Sequence, residues 1–317
     1  MTAYSPYRLD RGRPAQRAGT SFPCDLRVQG VTKRYGDFSL RDVALDVPRG
    51  SVVGLVGRNG AGKTTLMKII LGAALPDAGR IELFGHDVAS LGNQELIRLR
   101  ERVAYVNATV SYPSGMRVWE VSRMYELAYP RFDRSAYDRL CAVMELDVPR
   151  HKVSDLSRGM GMKLQLACAL ATGADLLVLD EPTAGLDPIV REELLDVLRS
   201  WMEDEARSMF VSSHITSDLE HLADYLVMIE QGAVALACEC DTIRDVMGVA
   251  NLRSHELQQV LDDGFLGDGQ ARVLRRDLSC LLLVPQRAAF MRAYPDFACD
   301  RATIDDVMAF IVKGEVR

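Results

Sequence analysis

Apolar and polar residues alternate from Asp25 onward, through Leu26, Val28 and Val31 and then Leu40, Val43, Leu45 and Val47. That two-residue period predicts strands buried on one face. Pro48-Arg49-Gly50 turns the chain into Ser51–Val56, a short buried strand, and Leu66-Met67-Lys68-Ile69-Ile70-Leu71 begins a helix. Arg80–Gly85 reads as a further strand. From about Asn93 to Leu146 the spacing is mostly helical: Leu96, Leu99 and Val103, then Val118, Val121 and Tyr125, then Tyr137, Leu140 and Met144. This helical block interrupts a strand-rich core, which resumes at Leu176–Leu179. A helix is expected from Pro188 to about Asp204, with proline at its start and Glu192 and Glu193 in its first turns. Ser208–Ser213 follows as a strand, and Leu226–Glu230 and Ala233–Ala237 flank Gln231-Gly232 as a hairpin. Beyond about Cys240 the pattern weakens, but a strand at Leu281–Val284 and a helix at Ile304–Ile311 predict a small α+β extension. No repeat or low-complexity tract is visible.

Between the strand at 51–56 and the helix from Leu66 lie Gly57-Arg58-Asn59-Gly60-Ala61-Gly62-Lys63-Thr64-Thr65. They match G-x-x-x-x-G-K-[ST] in the strand–helix setting the pattern requires. Such a turn aims successive backbone N–H groups inward, and glycine admits a phosphate chain without a side-chain clash. The helix N-terminus adds unpaired N–H groups and partial positive charge. Lys63 is then expected on the β- and γ-phosphates and Thr64 on Mg²⁺. The alternative, a glycine-rich turn with a surface lysine, does not call for the flanking strand and helix.

Leu176–Glu181 is an apolar strand ending in two carboxylates. Asp180, at the carboxyl end of a buried strand beside a phosphate loop, can hold Mg²⁺ directly or through water. Glu181 points elsewhere and can polarise an attacking water. Leu156-Ser157-Arg158-Gly159-Met160 precedes the apolar helix Leu164–Leu170; alone it is an ordinary helix start with Ser157 as its cap.

Composition narrows the partners. The 317 residues suffice for one large domain and a smaller one. A net charge of −6 argues against nucleic acid as the main ligand. No apolar run approaches the roughly 20 residues of a membrane helix, and no secretory signal is visible. Residues 1–22, with Arg8, Arg11, Arg13 and Arg17 among Pro, Ser, Gly and Thr, are expected to be a disordered basic tail. Cys24, Cys141, Cys168, Cys238, Cys240, Cys280 and Cys299 are scattered and odd in number, which favours reduced, mostly buried thiols in a cytosolic protein over a metal site at Cys238-x-Cys240.

Taken in order, these motifs resemble the ATP-binding subunit of an ABC transporter over about residues 25–236. Gly57–Thr65 is the Walker A loop, Leu156–Met160 stands at the Leu-Ser-Gly-Gly-Gln signature and Asp180-Glu181 ends the Walker B strand. Ala184-Gly185-Leu186-Asp187 resembles the D-loop and Ser213-His214 the switch histidine. The resemblance implies two copies, identical or paralogous, clamping two ATP molecules head to tail. Ser157 and Gly159 would meet the γ-phosphate held by the other copy's Lys63. Glu181 would activate the water, His214 would hold the γ-phosphate from the side, and Tyr35 would stack on adenine. His86, His151, His221 and His255 have no such context and read as structural.

Two positions depart from the family pattern. Arg158 and Met160 replace its Gly and Gln, and Asn107-Ala108 replaces a Pro-Gln pair whose Gln reaches Mg²⁺; Asn107 would substitute at shorter reach. Tyr129–Asp133, Ser212–Glu220 and Ala302–Met308 resemble bacterial ABC-2-type subunits linked to antibiotic or small-molecule export. The expected architecture is therefore an α/β P-loop ATPase core at 23–236, with an antiparallel β-subdomain, a helical subdomain at about 93–160 and an extension at 237–317. The expected partners are a separately encoded membrane permease and a second ATP-binding subunit, with no nucleic acid. The protein would be soluble alone and peripheral on the cytoplasmic face of the membrane when assembled. The surface expected to meet the permease is the helical block, through Tyr112-Pro113, Trp119, Met124 and Tyr125. A soluble ABC ATPase, or an ATP-binding module that signals without turnover, is the alternative.

Overall fold

In the computed structural model, residues 23–146, 149–266, 271–276 and 279–316 are described, so the basic tail expected at 1–22 lies outside the described residues. Cys24–Tyr35 and Phe38–Pro48 pair as an antiparallel hairpin, and Ala78–Leu83 and His86–Asp87 extend it to a four-stranded sheet. Val28 lies opposite both Leu45 and Ile81. The alternating apolar residues of the first strands thus gather on one face, which packs on the main sheet.

That main sheet has six strands, in the order Ala233–Glu239, Tyr225–Glu230, Val52–Val56, Ser208–Ser212, Leu176–Asp180 and Val103–Val106. All neighbours are parallel except the first pair. The central strands are apolar throughout because both faces are covered. Val53, Leu55, Val178 and Phe210 face the antiparallel sheet and the Lys63–Ile70 helix. Val52, Val56, Leu177, Leu179 and Val211 face the opposite layer, with the helices Arg158–Leu170 and Pro188–Trp201.

Two boundaries differ from expectation. The block from 93 to 146 is not helical throughout: after the helix Asn93–Arg100, Val103–Val106 forms the edge strand of the main sheet, paired with Leu176–Leu179. Leu96, Leu99 and Val103 fit helical spacing, but backbone pairing with an existing strand decides a four-residue apolar run. The helices Val118–Ala128 and Arg134–Val143 follow as expected. At the other end, the hairpin strand runs to Glu239, so the expected boundary at 236 falls inside it.

The extension is an antiparallel sheet of Cys299–Arg301, Gly248–Leu252, Cys280–Val284, Arg272–Arg275 and Glu315–Val316, with helices Ser254–Asp262, Arg287–Ala293 and Ile304–Lys313. Its central strand is buried on both faces. Leu282 and Val284 join Phe290 in a core of the extension, while Leu281 and Leu283 join Phe310, Val307 and Leu219 in the core beneath the main sheet. The extension and the nucleotide-motif core therefore share one apolar interior.

Among the described residues no helix is long and apolar enough to cross a membrane. Cys141, Cys168, Cys238, Cys240, Cys280 and Cys299 are free thiols. Burial pushes Cys238 and Cys240 up to about 12, which keeps them neutral at physiological pH.

Candidate functional site

The loop at 57–62 is shaped by glycines that nothing else can replace. Gly62 has φ +115°, and a Cβ there would lie 2.5 Å from Leu40 Cδ2 and 2.9 Å from Phe38 Cζ. A Cβ on Gly57 would lie 2.4 Å from the Ile229 carbonyl oxygen. The loop is wedged between the antiparallel sheet and the hairpin, and delivers Lys63 into the protein at 6% exposure. The Lys63 ammonium donates to the Gly57 carbonyl at 2.7 Å and lies 3.3 Å from Glu181 Oε1. Arg58, Asn59 and Gly60 form the exposed crest, Ala61 is buried beneath it, and Thr64 and Thr65 begin the helix.

Strand order brings the acids to this lysine. Ser208–Ser212 lies between the phosphate-loop strand and Leu176–Asp180, in register: Leu55 opposite Ser212, and Ser212 opposite Asp180. The Ser212 hydroxyl donates to Asp180 Oδ1 at 2.7 Å, while Thr64 Oγ1 donates to Asp180 Oδ2 at 3.3 Å. Ser212 also accepts from the Glu181 N–H at 3.0 Å. Glu181 itself adopts φ +52°, a left-handed conformation that costs about 1–3 kcal/mol for a non-glycine residue and turns its carboxylate away from that of Asp180. One Glu181 oxygen meets Lys63, and the other meets the imidazole Nδ1 of His214 and accepts from the His214 N–H at 3.3 Å. His214 keeps half of its side chain exposed.

Lys63, Thr64, Asp180, Glu181 and His214 thus converge at the carboxyl ends of three adjacent parallel strands, the usual ligand crevice of an open α/β sheet. The oxygens of Thr64 and Asp180 are hard donors of the kind that Mg²⁺ takes, and a constricted glycine loop before a helix, as at Gly57–Gly62, could hold phosphate through its backbone N–H groups.

The other expected residues lie elsewhere. Ser157 caps the helix Arg158–Leu170, accepting from the Met160 N–H at 3.2 Å, and Gly159 packs near Val190. Asp187 caps the next helix, accepting from Ile189 and Val190. Among the described residues no hydrogen bond or ion pair joins Ser157, Gly159, Met160 or Asp187 to the Lys63 cluster. Tyr35 stands 47% exposed at a hairpin tip, with the Lys33 ammonium 5.4 Å from its ring centre. Asn107 follows the strand Val103–Val106, and its carboxamide donates to Ser111 Oγ at 3.0 Å and accepts from Tyr105 at 3.4 Å. Tyr105, pushed up to about 12 by burial and then by the Asp180 carboxylate, stays neutral there.

Three contributors escaped sequence reading. Ser212 ties Asp180 to Glu181. Asp218, 3% exposed, accepts from Thr183 and from Arg191, linking the turn after Glu181 to the helix after His214. Gln165, 5% exposed, donates to the Asn107 carbonyl at 3.3 Å; a lone amide in the otherwise apolar run Leu164–Leu170 was its available signal.

The ABC transporter family profile matches residues 40–184. The bacitracin transport ATP-binding protein of Enterococcus faecalis is 32% identical over 209 residues, 65% of this chain and 67% of that protein. The daunorubicin resistance ATP-binding protein DrrA3 of Streptomyces coeruleorubidus is 35% identical over 227 residues, 70% of this chain and 71% of that protein. A dimeric bacterial ABC transporter cassette superposes with a TM-score of 0.61 at 23% identity, over 68% of this chain and 98% of that one. With the phosphate loop, the paired acids and the histidine gathered at one sheet edge, these likenesses show that the chain belongs to the family of ATP-binding, ATP-hydrolysing subunits of ABC transporters.

Proposed function

We propose that the chain drives a separately encoded permease, working as an exporter, through ATP-dependent closure of two such subunits. The observation that carries this reading is the convergence of Lys63, Glu181 and His214 beside the phosphate loop. Lys63 neutralises the β- and γ-phosphate oxygens. Thr64 and Asp180 hold Mg²⁺, which supplies charge neutralisation on the phosphates when bound. Glu181 accepts a proton from the attacking water, and His214 braces the γ-phosphate. Tyr35, exposed at its hairpin tip, stacks on adenine in this proposal. Export follows from relatives named for bacitracin transport and daunorubicin resistance.

Ser157 is exposed and Gly159 half-buried at a helix start with no hydrogen bond to their own chain's Lys63 among the described residues, which suits contact with a nucleotide held by a second subunit. Ser157→Arg should therefore abolish ATP-driven dimerisation, read by size-exclusion chromatography, while nucleotide affinity of the single chain stays within about threefold of parent, as for sites without shared contacts. An equal loss of single-chain affinity would place Ser157 in its own chain's pocket. The Asn107 carboxamide is engaged by Ser111 and Tyr105, and the proposal gives it no part in holding Mg²⁺.

Within the helical block, the permease meets the outer face of one helix in this proposal. Tyr112 turns inward, its hydroxyl 3.1 Å from that of Tyr125, and Tyr125 stacks on Tyr129. The outer face of the Val118–Ala128 helix presents the expected Trp119 and Met124 together with Leu127, at 47%, 40% and 74% exposure. Aromatic residues and methionine are enriched at interfaces. Trp119→Glu with Leu127→Glu should release the chain from membranes when coexpressed with its permease, with ATP binding retained. Unchanged sedimentation with membranes would exclude this face.

A further inference from the structure

We propose that Asp305, in the C-terminal extension, is a positioning residue for His214, so that the extension sets the efficiency of hydrolysis. The inference rests on the reading that His214 braces the γ-phosphate.

His214 is followed at once by the helix Thr216–Leu222, whose N-cap, Ile215, has no side-chain acceptor to offer. The start of that helix is held from outside. Thr216, 6% exposed, donates its hydroxyl to Asp305 Oδ1 at 2.8 Å. In return the Ile304 N–H donates to Glu220 Oε1 at 3.1 Å. The two helices are thus cross-linked by reciprocal polar contacts above an apolar seam of Leu219, Ile304 and Val307. Asp305 is itself fixed, because Thr303 and Asp306 form a capping box at the start of its helix.

Removing the Asp305 carboxylate would strand the Thr216 hydroxyl where water scarcely reaches, and an unsatisfied buried hydroxyl is costly. The cheapest relief is for Thr216 to move toward solvent, which carries His214, two residues earlier, away from Glu181. The opposite side of the helix remains held through Asp218 to Thr183 and Arg191. The displacement is therefore local, and a catalytic readout should exceed the loss of stability.

In the purified full chain, Asp305→Ala should lower kcat for ATP hydrolysis about fivefold to fiftyfold with KM unchanged, the range for residues coupled through one contact network. The ring resonances of His214 should shift in NMR spectra. Asp305→Asn, which retains an acceptor for Thr216, should restore both, and Thr216→Val should reproduce the alanine effect if Asp305→Ala fails to fold. In a His214→Ala background, Asp305→Ala should cause no further loss of kcat. A full additional loss there, or unchanged kcat and unchanged His214 resonances in the single variant, would overturn the proposal. If His214→Ala alone leaves kcat at the parent value, the γ-phosphate reading fails instead, and the His214 resonances still decide whether Asp305 positions the ring.

Discussion

Glu181→Gln should slow ATP hydrolysis by roughly 10²–10⁴-fold, the usual contribution of a positioned general base, while ATP binding survives. The substitution keeps the shape of the side chain and one oxygen to face Lys63, but removes the charge and the proton acceptor. Glu181 is suited to act as a base because its strained backbone separates it from Asp180, leaving Asp180 bonded to Thr64 and Ser212. The variant should also accumulate as an ATP-bound dimer, since closure is retained and the step that ends it is slow. Single-turnover hydrolysis and size-exclusion chromatography in ATP would measure the two effects. Hydrolysis at the parent rate would remove Glu181 from the role of base.

Lys63→Ala should weaken ATP binding by about two orders of magnitude or more, because removing one member of a buried charged pair costs about 3–5 kcal/mol. Two losses coincide. The phosphates forfeit a cation that is 6% exposed and aimed along the loop by the Gly57 carbonyl. The Glu181 carboxylate, no longer balanced by the ammonium, then repels the γ-phosphate. Calorimetric titration with a non-hydrolysed ATP analogue would measure the change, and a melting curve would show whether the fold is intact. Parent-like affinity would mean that backbone N–H groups alone hold the phosphates.

The residues that make the phosphate loop were legible because their chemistry is local. Gly62 must adopt a conformation that side chains disfavour, Lys63 must follow it, and a strand and a helix must flank both within about ten residues, so one stretch of chain carries the whole requirement. The same holds for the strand that ends in Asp180 and Glu181, whose four consecutive apolar residues announce burial on two faces. The outward face of the Val118–Ala128 helix was less legible, because helical spacing shows that Val118 and Tyr125 lie on one helix without showing which stripe meets the core.

The sequence by itself determined the α/β class, the nucleotide motifs and the existence of an extension, since each depends on neighbours in the chain. Tertiary structure decided that Val103–Val106 is a strand, because a short apolar run takes the conformation of the strand it pairs with. It also decided that Ser212 bridges the two acids, which needs its strand between the other two. The same is true of the bond between Thr216 and Asp305, across 89 residues, where two apolar surfaces had to meet before either polar group had a partner. Such contacts leave no local pattern, because the free energy that forms them comes from burial of distant segments against one another.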